Sequence, residues 1–146
     1  LIVIGGDAAG MTAASLVRRL QPAAAITVFG AARTLVFGLG IPYYVAGLVD
    51  REEALIARTP QSFRDKHNIN VQTRHEVTVV DPHRQRVLVT DLTSAPERWE
   101  PYDQLLLATG ARPFRPPLEG IDSPNIYDVH NLVNGSLLKR ALAEQQ

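Results

Sequence analysis

Leu1-Ile2-Val3-Ile4-Gly5-Gly6-Asp7-Ala8-Ala9-Gly10 is a run of aliphatic residues that breaks into a glycine-rich turn. Four apolar residues in succession suit a strand covered on both faces. Gly5 permits a tight turn, and Gly10 lets a following helix pack closely on the strand. That helix is expected from Met11 to Leu20, an Ala-rich stretch ending in Arg18-Arg19. Its first turn would aim free N–H groups and a positive dipole end at an anion, and a dinucleotide pyrophosphate is the anion such a turn fits. Asp7 stands where the pattern has its middle glycine, and its carboxylate is expected to point away from bound phosphate.

The chain of 146 residues is one domain's worth, and its 45% hydrophobic content is enough for a proper core. A formal net charge of +0 points away from nucleic acid and from a membrane surface as partners. No apolar run reaches the length of a membrane span and no signal peptide is read ahead of the first strand, so a cytoplasmic location is expected. The first residue is Leu1, not Met, and a few residues are expected before it. No cysteine is present, which excludes disulfides, thiolate metal sites and thiol redox chemistry among these residues. His67, His75, His83 and His130 show neither metal-ligand spacing nor a neighbouring nucleophile, so no metal site is read from them.

Working outward, Ala25 to Phe29 reads as the second strand of a β-α-β unit. A Gly- and aromatic-rich loop follows from Gly30 to Gly47, then a short polar-faced helix or loop from Val45 to Ala57. Thr59-Pro60 is a helix start, with Thr59 as cap and Pro60 at the first position, for a helix running to His67. Short strands are expected at Ile69–Val71 and Glu76–Val80, and Val87 to Leu92 alternates as part of a hairpin turned at Asp81-Pro82-His83-Arg84. Leu105 to Ala108 is a second all-apolar run, again ending in a glycine turn at Thr109-Gly110. Four prolines between Pro113 and Pro124 mark an extended connector, and a last helix is expected from Gly135 to about Glu144.

The fold class is therefore α/β, a Rossmann-like domain with a parallel central sheet and helices on both sides. A small antiparallel β-meander is inserted between about Val71 and Tyr102. The division read from composition is a dinucleotide-binding segment at 1–110 and a connector with its helix at 111–146. Ligands of such sheets bind at the carboxyl ends of the strands, here Gly5–Gly10, Gly30 and Thr109–Gly110.

Five motifs then occur in order: Gly5-Gly6-Asp7-Ala8-Ala9-Gly10, Gly40-Ile41-Pro42-Tyr43-Tyr44, Arg58-Thr59-Pro60, His75-Glu76-Val77, and Tyr102-Asp103 leading to Ala108-Thr109-Gly110-Ala111-Arg112-Pro113. Together they resemble the N-terminal FAD-binding portion of the pyridine nucleotide-disulfide oxidoreductases. The subgroup resembled is that of coenzyme A disulfide reductases, NADH oxidases and NADH peroxidases. The resemblance implies FAD as cofactor and NAD(P)H as co-substrate, with hydride passing from nicotinamide to flavin and on to an acceptor. It implies that Gly5, Gly6, Ala9 and Gly10 hold the pyrophosphate, and that the backbone of Val77 lies beside the adenine. Thr109 and Gly110 would lie against the flavin nucleotide, and Pro42, with Tyr43 and Tyr44, beside the isoalloxazine ring. Arg19 matches a position near the coenzyme A phosphates; the bland reading of Arg18-Arg19 is a favourable helix end.

The resemblance also implies a nicotinamide domain, a returning segment and a dimerisation domain beyond Gln146. The chain is thus expected to be a fragment, inactive alone, of a homodimeric parent.

Two positions depart from the family pattern. Its redox cysteine is replaced by Leu39, which can neither attack a disulfide nor stack a thiolate on flavin, so no catalytic residue is assigned. The acid that accepts from the adenosine ribose is replaced by Gly30, followed by Ala31, Ala32 and Arg33 in a loop one residue shorter than the family's. Losing that charge-assisted contact is expected to weaken FAD binding by roughly 1.5–3 kcal/mol if nothing replaces it. Two further readings follow. A module that kept the fold and lost the chemistry would be a non-enzymatic dinucleotide binder, and a site using Arg33 would take NADPH through its ribose phosphate.

Overall fold

The computed structural model describes residues 1–33, 40–56 and 58–144. Among these, residues 1–33 with 58–110 form one compact unit, and 40–56 with 111–144 form another.

The first unit is built on four parallel strands, β1 (Ile2–Ile4), β2 (Thr27–Gly30), β3 (Asn70–Thr73) and β7 (Leu105–Leu107), in the order β3-β2-β1-β7. Val3 is in register with Val28 on one side and Leu106 on the other, and Val28 in turn with Val71. Alternation along each strand sends this row to one face, where helices α1 (Ala8–Leu20) and α3 (Pro60–His67) cover it with Met11, Ala14 and Phe63. The opposite face carries Ile2 and Phe29, which pack against Val87 and Val89 of an antiparallel sheet. That sheet consists of β4 (His75–Asp81), β5 (Arg86–Asp91) and β6 (Glu97–Pro101), in the order β4-β5-β6.

Helices were expected on both sides of the parallel sheet, and this is corrected. Both α1 and α3 lie on one face, and the antiparallel sheet lies on the other. The handedness of crossovers accounts for it. The steps β1 to β2 and β2 to β3 run in the same direction, so right-handed connections put their helices on the same face. The connection from β3 to β7 runs back the other way, and its inserted strands therefore fall on the other face.

The meander also begins later than the expected Val71, because Asn70–Thr73 pairs with β2 inside the parallel sheet. The chain changes sheets at Arg74, whose φ of 57° is left-handed. Its N–H donates to the Ala32 carbonyl at 3.0 Å and its own carbonyl accepts from Leu92 N–H at 2.8 Å. Arg98 of β6 seals the seam between the sheets: it donates to Gln72 Oε1 at 2.6 Å and lies 6.0 Å from the Phe29 ring centre. A further finding concerns β7, the second all-apolar run. Leu107 is 64% exposed.

Helix α1 starts three residues earlier than expected, at Ala8. Arg18 is fully engaged with backbone. Its guanidinium donates to the carbonyls of His67 (3.0 Å), Ala24 (2.6 Å) and Asn68 (2.8 Å), and also to Pro22. Helix α3 forms as its sequence dictates, with Thr59 Oγ1 accepting from Ser62 N–H at 3.1 Å and Pro60 in the first turn.

In the second unit, α2 (Ile41–Val45) forms inside the stretch expected as a Gly- and aromatic-rich loop, and a 3-10 turn at Glu52–Leu55 falls within the short helix or loop expected over Val45–Ala57. The last helix, α4 (Leu132–Ala143), begins three residues before the expected Gly135, capped by Asn131, whose Oδ1 accepts from Asn134 N–H at 2.9 Å. Helices α2 and α4 meet at Gly135, where a Cβ would come 2.5 Å from Ile41 Cγ2. Lys139 Nζ sits 3.9 Å from the Tyr44 ring centre and donates to the Val49 carbonyl at 3.3 Å. No helix among the described residues is long and apolar enough to cross a membrane.

Candidate functional site

The carboxyl ends of β1, β2 and β7 meet around the glycine turn. Strand β1 lies between the other two, and the chain leaves β1 toward β2 but reaches β7 from the opposite direction. Such a reversal opens a crevice at the strand ends where ligands bind.

Two glycines there are enforced by contact. At Gly5, with φ of +113°, a Cβ would lie 2.0 Å from the Ala108 carbonyl oxygen. At Gly10 it would lie 1.9 Å from the Gly5 carbonyl oxygen and 3.1 Å from Val3 Cγ1. No side chain fits either place, so the first turn of α1 is drawn against β1 and the β7 loop against Gly5. Gly5 N–H donates to the Phe29 carbonyl at 2.8 Å, and Ala108 N–H to the Ile4 carbonyl at 2.8 Å, which locks the three strand ends together.

Asp7 behaves differently from expectation. Its carboxylate does not point away from the turn: Oδ1 accepts from Ala8 N–H at 2.7 Å and caps α1. The first amides of a helix lack intrahelical partners, and the nearest acceptor is this side chain. The first helical bond runs from Met11 N–H to the Asp7 carbonyl, at 3.0 Å. The amides of Ala9 and Gly10 have no backbone or side-chain acceptor among the described residues, so they are free for an anion. An Asp directly before an Ala-rich helix is itself a capping signal, legible in the sequence.

Gly30 closes β2 next to the turn, with Thr73 opposite it in the β3 register. A Cβ here would stand 3.7 Å from Gly6 N and 3.9 Å from Gly6 Cα, ordinary contact distances. Gly30 therefore has room for a Cβ and carries none. Arg33 is exposed three residues further on. Thr109 and Gly110 are exposed beyond β7, Gly110 with φ of +69° and open space around it. Val77 pairs with Val89, and its side chain packs on the cluster of Ile2, Phe29, Val87 and Val89. Pro42 belongs to the second unit, exposed in the first turn of α2. Leu39 lies outside the described residues. Two histidines make local contacts: His75 Nδ1 is 2.9 Å from the Thr73 carbonyl, and His67 Nε2 is 2.9 Å from Arg58 Nη1.

A pyrophosphate group fits the turn by two tests: a cradle that any Cβ would fill, and free amides at the start of a 13-residue helix. A ribose acceptor at the end of β2 is missing.

Comparison with known proteins identifies the family. Residues 1–146 match the pyridine nucleotide-disulphide oxidoreductases. The NADH oxidase of Methanocaldococcus jannaschii is 31% identical over 144 residues, covering 98% of this chain and 32% of that protein. The coenzyme A disulfide reductase of Staphylococcus haemolyticus is 31% identical over 147 residues, covering 100% of this chain and 33% of that protein. The chain thus spans about a third of the curated relatives it matches. Among solved structures, an NAD-dependent persulfide reductase from A. fulgidus superposes with a TM-score of 0.90 at 36% identity, over 98% of this chain and 27% of that one. The water-forming NADH oxidase from Lactobacillus brevis gives a TM-score of 0.87 at 30% identity, over 98% and 32%. The chain belongs to the pyridine nucleotide-disulphide oxidoreductase family, whose members are FAD-dependent and use NAD(P)H.

Proposed function

We propose that this chain is the FAD-binding portion of an NAD(P)H-dependent flavoprotein oxidoreductase. The observation that carries the reading is the turn in which Gly5 and Gly10 leave no space for a Cβ while the Ala9 and Gly10 amides stay free. In this reading Gly5, Gly6, Ala9 and Gly10 hold the pyrophosphate through backbone groups and the start of α1. Thr109 and Gly110 border the flavin nucleotide, and the Val77 backbone borders the adenine. Gly30 and Arg33 occupy the ribose end. Bound there, FAD would supply hydride acceptance from reduced nicotinamide and electron transfer to an acceptor; the residues named here would bind and orient it. With Leu39 at the position of the family's redox cysteine, no thiol at that position would relay electrons to the acceptor. The proposal extends to a homodimeric, cytoplasmic full-length protein.

The test is an equilibrium titration with FAD, followed by flavin absorbance and fluorescence. Saturable binding with a shifted visible spectrum is expected. A protein that takes no FAD at any concentration would be a scaffold that kept the fold and lost the cofactor. NADPH competing for the same site would favour the ribose-phosphate reading through Arg33.

A further inference from the structure

We infer that FAD is held here as an exchangeable ligand, one that enters and leaves, and not as a resident group. The inference rests on the flavin reading above. Two features of the described site weaken its grip without disturbing the scaffold.

The first is Asp7. Its Oδ1 sits 2.7 Å from Ala8 N–H, so a carboxylate already occupies one first-turn amide of α1. A pyrophosphate docking on the remaining amides of Ala9 and Gly10 must approach that carboxylate. Like charges at a helix start oppose each other in the place where the dipole would otherwise favour the ligand. The second is Gly30. The 3.7 Å from its would-be Cβ to Gly6 N shows that no steric demand requires a glycine. Ala31, Ala32 and Arg33 supply no carboxylate to the ribose hydroxyls in its stead. Because Gly30 stands against Gly6, both features bear on one ligand, and their effects on affinity compound.

The glycines that shape the turn are intact, so what is lost is affinity and not architecture. FAD bound in this way exchanges with free FAD in solution.

The experiment uses the full-length protein and its D7N, G30E and D7N/G30E variants, with FAD as the probe. D7N keeps a side-chain oxygen for capping and removes the charge; G30E supplies the missing acceptor. Kd is read by flavin fluorescence, retention by absorbance after desalting, and folding by thermal melting. The parent is expected to lose its FAD on desalting. G30E should tighten binding about 10- to 150-fold, the effect of adding one charge-assisted hydrogen bond, and D7N about 3- to 10-fold, the effect of removing one repulsion. The double variant should keep the flavin. A parent that retains stoichiometric FAD through desalting overturns the inference and leaves the flavin reading standing. A double variant with the parent's Kd overturns it too. Should G30E fail to fold, D7N alone decides: unchanged or weaker affinity counts against the inference. If neither parent nor variants bind FAD at saturating concentration, the flavin reading itself falls, and this one with it.

Discussion

Gly10 and Gly30 flank the same turn and are glycine for opposite reasons. A Cβ on Gly10 would collide with the Gly5 carbonyl at 1.9 Å, whereas a Cβ on Gly30 would meet Gly6 at 3.7 Å. The first is a steric necessity that pulls helix α1 against strand β1. The second is an empty place where a functional group could stand. A glycine in a binding motif thus says nothing by itself; the atoms its absent side chain would meet decide what it means.

The comparison breaks most visibly at Gly10. Gly10→Ala should cost about 3 kcal/mol or more, because backbone has to move to admit the methyl group. Urea unfolding reads this, and parental stability in that variant would show the turn to be looser than its distances. Asp7→Ala comes next, with an expected loss of about 1 kcal/mol as the Ala8 amide loses its cap. Thermal denaturation measures the loss, while FAD titration should show affinity rising in the same variant. A fall in both would mean that Asp7 supports the ligand as well as the helix. Gly30→Ala should be neutral or stabilising by about 0.5 kcal/mol, since alanine costs less backbone entropy in a strand. A marked loss of melting temperature there would erase the contrast with Gly10.

The smallest effect is expected at Asp91, the last residue of β5. Its carboxylate accepts from the Thr93 amide at 2.8 Å, from Thr93 Oγ1 at 2.5 Å and from Ser94 Oγ at 2.8 Å. These hydrogen bonds hold its pKa well below the ordinary carboxylate range. A depressed folded-state pKa contributes stability that is complete above the unfolded value, about 4, and is lost as pH falls toward the folded one. Asp91→Asn should therefore flatten the acid side of the stability curve slightly and leave neutral pH little changed. A pH series of melting curves checks it, and an unaltered acid limb would mean that the turn does not persist in solution.

Much of this is legible in the residues. The strand-turn-helix at Ile2 to Leu20 and the Thr59-Pro60 helix start are local events, fixed by propensity, capping and glycine placement. The assignment of strands to sheets is less so. Asn70–Thr73 and His75–Asp81 are separated only by Arg74, yet they belong to different sheets. Period-two alternation shows that a strand has two faces, but it does not name the partner on either. The single-sided placement of α1 and α3 follows from strand order and handedness, and strand order is a long-range property. Leu107 escapes for a related reason: an apolar run predicts burial only if something covers it. At the site, the motif marks Gly5 and Gly10. The charge of Asp7 alone suggests a carboxylate turned away from the phosphates, whereas its hydrogen-bonding reach makes it the cap of α1.

Arg18 has a consequence of a different kind. Helix α1 runs back along the sheet, so its last turn lies at the end opposite the glycine turn, and there one guanidinium gathers carbonyls from Pro22, Ala24, His67 and Asn68. The segments after both helices are stitched by that single side chain at one pole, while the other pole keeps the Ala9 and Gly10 amides free. Cohesion and chemistry are thus housed at opposite ends of the unit. Such a division gives the ligand pole latitude to vary, for new loops or altered cofactor grip, without unpicking the seam that holds the domain together.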